Sequence, residues 1–241
     1  MERCDHHDWT SDAYVEAWVQ RQQDADPARV ERFWLLCDLC PFPTDATVTI
    51  LDVGAGYGPV SKFILDHFPN ATCIAQDGST PMLQRAQQRL AGYGARFAIC
   101  QSDLFAQDWL PTRYGPFDAV VSARCLHNLR DFRRISAIYG DIRAQLKPGG
   151  VFLNFDLVKA PSLALQQCYG RVIEARRQRE DTPRVDLDAA VQHASQTPAH
   201  GQTHGFPASL DEHLAALKAA GFVEVDCFWK DLRNAIYGGY V

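Results

Sequence analysis

Between Leu51 and Pro59 the chain reads LDVGAGYGP. An apolar run, VTILDV (48–53), gives way to three glycines at alternate positions, Gly54, Gly56 and Gly58, and then to a proline. A near-continuous apolar run is what a strand covered on both faces requires. Glycine admits positive φ and lets a ligand lie directly on the backbone. Proline suits the first turn of a helix, where the missing N–H costs nothing. The segment therefore predicts a strand, a tight turn and a helix N-terminus whose free N–H groups favour an anionic group such as a carboxylate. In an open parallel sheet, ligands bind at the carboxyl ends of the strands, where the strand order reverses.

The surrounding sequence repeats this alternation. A helix is expected from about Pro59 to His67, a strand at TCIAQD (72–77), a helix from Pro81 to Leu90 and a strand at ARFAICQSD (95–103). FDAVVSA (117–123) is the fourth strand, Phe132 to about Leu146 a helix, and VFLNFDLV (151–158) the fifth strand. Strand–helix alternation with short connections specifies a parallel sheet with right-handed crossovers. Residues 1–46 read instead as an N-terminal helical cap. One helix follows Ser11 or Asp12, with Tyr14, Val15, Trp18 and Val19 on one face, and a second starts at Asp26-Pro27. Residues 47–241 form the main domain, with an insertion at about 160–207. That insertion carries a polar helix, about Ser162 to Glu180, and a stretch with His193, His200 and His204. It is longer than a plain crossover needs and is expected to act as a lid. After a helix capped by Ser209, FVEVDCFWK (222–230) and NAIYGGYV (234–241) predict an antiparallel pair. At 241 residues and 46% hydrophobic, the chain can bury one sizeable core.

The glycine turn alone is weak evidence for any one ligand. A dinucleotide site wants Gly-x-Gly-x-x-Gly/Ala; counted from Gly54 the third position is Pro59, and from Gly56 it is Ser61. That disfavours NAD(P) and leaves it as a rival. The strand ends add acids in register. Asp77 closes the second strand, where a carboxylate can accept from both hydroxyls of a ribose, and Asp103 closes the third, where it can meet an adenine amino group. Ser122 closes the fourth strand with Ala123, and Asp156 lies near the end of the fifth.

LDVGAGYG, IAQDGSTPML (74–83), QSDLF (101–105), FDAVVSARCLHNL (117–129) and LKPGG (146–150), in that order, resemble the class I S-adenosylmethionine-dependent methyltransferases. The resemblance implies an α/β, Rossmann-like seven-strand sheet of order 3-2-1-4-5-7-6 with strand 7 antiparallel. It implies S-adenosylmethionine as cofactor, S-adenosylhomocysteine as product, and methyl transfer to O, N, C or S of a small-molecule acceptor. By that resemblance Gly54 and Gly56 hold the methionine portion with Asp52 in support. Asp77 binds the ribose, Met82 packs on the adenine, and Asp103 with Leu104 meets its edge; Ser122 joins the cofactor set. Many small-molecule members resembling this chain have two histidines after the fourth strand; here the pair is His127-Asn128. His127 is therefore a candidate general base facing the acceptor, or a helix-start residue that shapes the pocket.

Other features have two readings each. Tyr14 and Trp18 are core packing or a wall of the acceptor pocket. Arg171, Arg176, Arg177 and Arg179 are a solvated helix face or a surface for an anionic substrate or partner. Cys37-x-x-Cys40 lacks a second ligand pair for zinc and closes a helix instead of opening one, so packing is expected and no metal. A net charge of -5 argues against nucleic acid as partner. No apolar run approaches the ~18 residues of a membrane span, and the start MERCDHHDW is not a signal peptide, so a cytoplasmic protein is expected. Rival functions are carboxyl transfer or cyclisation on the same cofactor, and a silent cofactor-binding module. The acceptor and the oligomeric state are not specified by any motif.

Overall fold

The computed structural model describes residues 8–25, 29–180 and 208–241. Asp26-Pro27, the pair His6-His7 and the histidine-containing part of the expected lid, 181–207, lie outside the described residues. Two helices come first, α1 (Asp12–Ala25) and α2 (Val30–Asp38). Then follow β1 (Thr49–Val53), α3 (Pro59–His67), β2 (Thr72–Asp77), α4 (Thr80–Arg89), β3 (Phe97–Gln101) and β4 (Phe117–Ala123). The chain continues with α5 (Phe132–Gln145), β5 (Leu146–Leu157), α6 (Leu163–Glu180), α7 (Leu210–Ala219), β6 (Val223–Asp231) and β7 (Asn234–Tyr240). The strands form one sheet of order β3-β2-β1-β4-β5-β7-β6. β1 to β5 pair in parallel, while β7 runs antiparallel to both β5 and β6, as expected.

Strand periodicity sorts the core into two layers. Ile50, Cys73, Ala119, Val121, Val151, Leu153 and Phe155 face one side, against Phe33 and Leu36 of α2 and Val60, Ile64 and Leu65 of α3. Leu51, Val53, Ile74, Val120 and Phe152 face the other, against Ile135, Ile138 and Ile142 of α5 and Leu217 of α7. Cys37 and Cys40 are buried in the first layer. Burial raises both thiols, Cys40 to about 12.

Local sequence sets the helix ends. Ser11 Oγ accepts from Tyr14 N at 3.2 Å, Asp131 accepts from Arg133 N and Arg134 N, and Ser209 with Glu212 completes a capping box. The chain differs from expectation at three edges. Ala91–Arg96 forms a 3-10 turn, so β3 starts at Phe97 and not at Ala95. Helix α4 starts at Thr80 because Ser79 caps it, accepting from Met82 N at 3.3 Å. β5 begins at Leu146, which pairs with Phe117, so LKPGG lies within the strand. No described helix is long and apolar enough to cross a membrane.

A polar cluster lies inside the second layer. Tyr139 Oη is 2.7 Å from His213 Nδ1 and 3.3 Å from Tyr237 Oη, and Asn154 Nδ2 donates to Tyr237 Oη at 2.8 Å. Burial pushes His213 down to about 4, since the interior disfavours the charged ring. A histidine lowered on folding contributes stability that is complete above its unfolded value near 6.5 and is lost as pH falls toward 4. We expect a loss of up to about 3 kcal/mol over that interval. Urea midpoints should therefore fall more steeply between pH 6.5 and 4 in the parent than in His213→Gln. Parallel pH profiles would show that His213 titrates normally.

Candidate active site

The glycine turn is pinned to the end of β2. Gly54, Gly56 and Gly58 have φ of 65°, 55° and 80°. Gln76 is completely buried; its backbone oxygen accepts from Ala55 N at 2.9 Å and its side-chain Oε1 from Gly54 N at 3.2 Å. Its Nε2 donates to Ser102 O at 2.8 Å, so one side chain joins the turn, β2 and the exit of β3. Asp77 completes the brace. Its Oδ2 accepts from Gly56 N at 2.9 Å and its Oδ1 from Ser79 N at 2.8 Å. Burial raises the Asp77 carboxyl, and amide hydrogen bonds from Ser79, Gly56 and Gly78 oppose that rise. Each carboxylate oxygen has a second lone pair for a further donor.

Asp52 is sealed beneath the turn at 1% exposure. It accepts the Ser61 hydroxyl at 2.7 Å together with the Ser61 amide, which ties the first turn of α3 to β1. Burial pushes this carboxyl up to about 7. Ser122 is also completely buried, and its hydroxyl donates to Val53 O at 2.9 Å. Both residues thus shape the turn from below.

Above the turn, Met82 is buried with Val15, Val19 and Tyr57, and Trp9, Tyr14 and Trp18 pack around them. Trp9 meets Tyr14 and Trp18 edge-on at 5.4 and 5.3 Å, and Trp18 meets Tyr57 at 6.2 Å. Arg85 of α4 reaches Asp12 and Glu16 of α1 at 2.8 Å each, and Ser79 Oγ donates to Trp9 O at 2.6 Å. Helix α1 therefore sits over the turn and α4, and Tyr14 and Trp18 lie beside Met82. Asp103 is exposed just past β3, with Oδ1 accepting from Phe105 N at 2.9 Å. Its neighbour Leu104 is half-buried, and its carbonyl accepts from Arg134 Nε at 2.5 Å.

The other half of the site is at the ends of β4 and β5. A Cβ on Gly54 would lie 2.0 Å from Cys125 Sγ, so the β4 exit abuts the turn directly. Two residues on, His127 Nδ1 is 2.5 Å from Asp156 Oδ1, and Asp156 Oδ2 accepts from His127 N at 3.0 Å. Leu157 N adds a third hydrogen bond to Asp156, at 2.9 Å. Burial raises Asp156, but the charge and hydrogen bonds of His127 outweigh it and hold the carboxyl below the usual range. With Nδ1 engaged by Asp156, Nε2 is the ring nitrogen left for another partner. This Asp–His pairing was not legible from the sequence: its partners are 29 residues apart, and only the β4–β5 register brings them together. Gln76 was missed too, although a lone amide in an otherwise apolar strand was its signal. Of the arginines on α6, Arg176 is paired with Asp231 at 2.6 Å and Arg171 is exposed; the side chains of Arg177 and Arg179 lie outside the described residues.

A Cβ on Gly56 would meet only Met82 Sδ, at 3.9 Å, so a ligand has room against that backbone. Gly58, the N-cap of α3, offers no side-chain cap to the helix amides.

A family model described as a methyltransferase domain matches residues 50–150. A malonyl-[acyl-carrier protein] O-methyltransferase of Xylella fastidiosa is 34% identical over 104 residues, covering 43% of this chain and 33% of the relative. A ubiquinone/menaquinone biosynthesis C-methyltransferase of Desulfotalea psychrophila is 30% identical over 101 residues, covering 42% of this chain and 38% of the relative. The matches thus span well under half the length of these curated relatives. Among solved structures, human N-acetylserotonin methyltransferase in complex with SAM is similar in fold, with a TM-score of 0.62 at 20% identity over 96% of this chain and 57% of that one. Residues 50–150 thus match a methyltransferase-domain family model, and the sheet around them has the strand order, with β7 antiparallel, that the resemblance to class I S-adenosylmethionine-dependent methyltransferases implies.

Proposed function

We propose that the protein transfers the methyl group of S-adenosylmethionine to an oxygen or nitrogen of a small-molecule acceptor, with His127 receiving the proton that the acceptor loses. The observation that carries this reading is the His127–Asp156 pair, 2.5 Å apart at the strand ends, two residues from the Cys125 contact with the glycine turn. The relatives' names put methylation on oxygen in one and on carbon in another, so the acceptor atom is argued from the site alone.

When bound, S-adenosylmethionine supplies an electrophilic methyl group on a sulfonium. The chain's residues do the rest. The turn at Gly54 and Gly56 receives the methionine portion, with Asp52 and Ser122 holding the turn in shape. Asp77 takes the ribose hydroxyls on its remaining lone pairs. Met82 packs on the adenine, Asp103 and Leu104 meet its edge, and Tyr14, Trp18 and Tyr57 close the site against water. Asp156 holds the His127 ring with Nδ1 protonated and stabilises the imidazolium that forms. Positioning acceptor and methyl at near-attack distance in a dry site supplies much of the acceleration.

Product mass tests this reading. Incubation with methyl-labelled S-adenosylmethionine and pools of small hydroxyl- and amine-bearing compounds should yield S-adenosylhomocysteine in step with a product heavier by one CH2. A product that gains a carboxyl-containing group, or that cyclises without gaining a methyl, would place the chain in another reaction class on the same cofactor.

A further inference from the structure

One charged side chain beside the His127–Asp156 pair has no role in the scheme above. Arg124 directly follows the last residue of β4, in the left-handed region at φ 58°. A non-glycine residue there costs about 1 kcal/mol or more, so the surroundings must hold it. They do: Arg124 N donates to Phe155 O at 2.8 Å. The bend carries the side chain toward the end of β5, where Nη1 donates to Asn234 Oδ1 at 2.9 Å. Asn234 stands opposite Leu157, one residue past Asp156.

Arg124 and Asp156 feel each other's charge, yet they form no ion pair. The hydrogen bonds to Asp156 come from His127 N, His127 Nδ1 and Leu157 N. Among the described residues, the guanidinium's hydrogen-bond partner is the neutral amide oxygen of Asn234. Burial, with repulsion from the charge of Arg29 at the start of α2, lowers Arg124 to about 10. Yet the residue is half-buried by surface area, so solvent reaches part of it. A guanidinium has five N–H donors in a planar fork suited to two oxygens at once. One neutral acceptor leaves most of that capacity unmet, next to the proposed base.

We propose that the acceptor carries an oxyanion, a carboxylate or phosphate, held by the Arg124 fork while His127 faces the atom to be methylated. This rests on the methyl-transfer reading and narrows it to acidic acceptors. Arg124 is thereby a specificity residue. A structural brace between β4 and β7 is the competing role.

The test uses the full chain loaded with S-adenosylhomocysteine and reads binding by calorimetry and by melting temperature. The probes are malonate, benzoate and phenyl phosphate, with malonamide and benzamide as neutral counterparts. At least one anion should bind to the parent at least tenfold more tightly than the neutral probes. Arg124→Gln should lose that preference while keeping its affinity for S-adenosylhomocysteine. Arg124→Lys, which keeps the charge but not the fork, should bind the anion several-fold more weakly than the parent and serves as the readout if Arg124→Gln does not fold. Anion binding unchanged in both variants, or no preference for any anion in the parent, would each overturn the proposal. Failure of the parent to bind S-adenosylhomocysteine would overturn the methyl-transfer reading instead.

Discussion

Replacing His127 by Ala should lower the rate of methyl transfer by about 10²–10⁴-fold, the usual contribution of a positioned general base. The affinity for S-adenosylhomocysteine should stay within a few-fold of the parent. His127 is held at two points by Asp156, through Nδ1 at 2.5 Å and through its backbone N–H at 3.0 Å, and Asp156 is buried. A residue that only shapes the pocket does not need its ring fixed by an ionised carboxylate. The two roles separate by experiment. If His127 is a base, kcat falls and the acid limb of the pH–rate profile disappears, while KM for the acceptor changes little. Asp156→Asn should act in the same direction, because the amide no longer selects the tautomer with Nδ1 protonated. If His127→Ala keeps a rate within about threefold of the parent, or raises only KM, the ring shapes the pocket and the acceptor loses its proton elsewhere.

The second large effect belongs to the turn. Gly54→Ala places a methyl group 2.0 Å from Cys125 Sγ and 2.4 Å from Cys125 Cβ, at a φ of 65°. Left-handed backbone costs about 1–2 kcal/mol without glycine, and overpacking adds about 1–3. We therefore expect about 2–5 kcal/mol lost in stability, together with loss of cofactor binding, because the turn cannot move away from Cys125 and keep its hydrogen bonds to Gln76. The double variant Gly54→Ala/Cys125→Ala should recover the steric part but not the backbone strain. Chemical denaturation of Gly54→Ala, Cys125→Ala and the double variant beside the parent measures both. A single variant as stable as the parent would mean that the β4 exit yields easily and that its contact with the turn does not define the site.

Much of this architecture was legible because local and periodic signals agree. TCIAQD and FDAVVSA become β2 and β4 without adjustment, since each apolar run is bounded by turn residues. The strand order came from the resemblance, not from periodicity, which carries no information on which strands adjoin. The edges that shifted did so through tertiary context. Leu146 joins β5 because Phe117 pairs with it, and no local rule places LKPGG in a strand. The site follows the same division. Gly54, Gly56 and Asp77 announce themselves at a strand end. The partners of the site residues do not, because they are set by register between neighbouring strands: Gln76 with Gly54, Asp156 with His127, Asn234 with Arg124. Tyr14 and Trp18 were recognisable as an aromatic stripe, but their position beside Met82 depends on how α1 docks on α4.

We assign the turn from Gly54 to Gly58, with Asp77, to S-adenosylmethionine. Calorimetric titration of S-adenosylhomocysteine, with NADH as the control ligand, tests it most directly. We expect one S-adenosylhomocysteine bound per chain, no binding of NADH, and a melting temperature raised only by the former. It also predicts that Asp77→Ala weakens S-adenosylhomocysteine by about 1.5–3 kcal/mol, the scale of hydrogen bonds to a charged group, in a protein that remains folded. Binding of NADH with none of S-adenosylhomocysteine would contradict the account outright, and an unchanged affinity in Asp77→Ala would show that the ribose lies elsewhere.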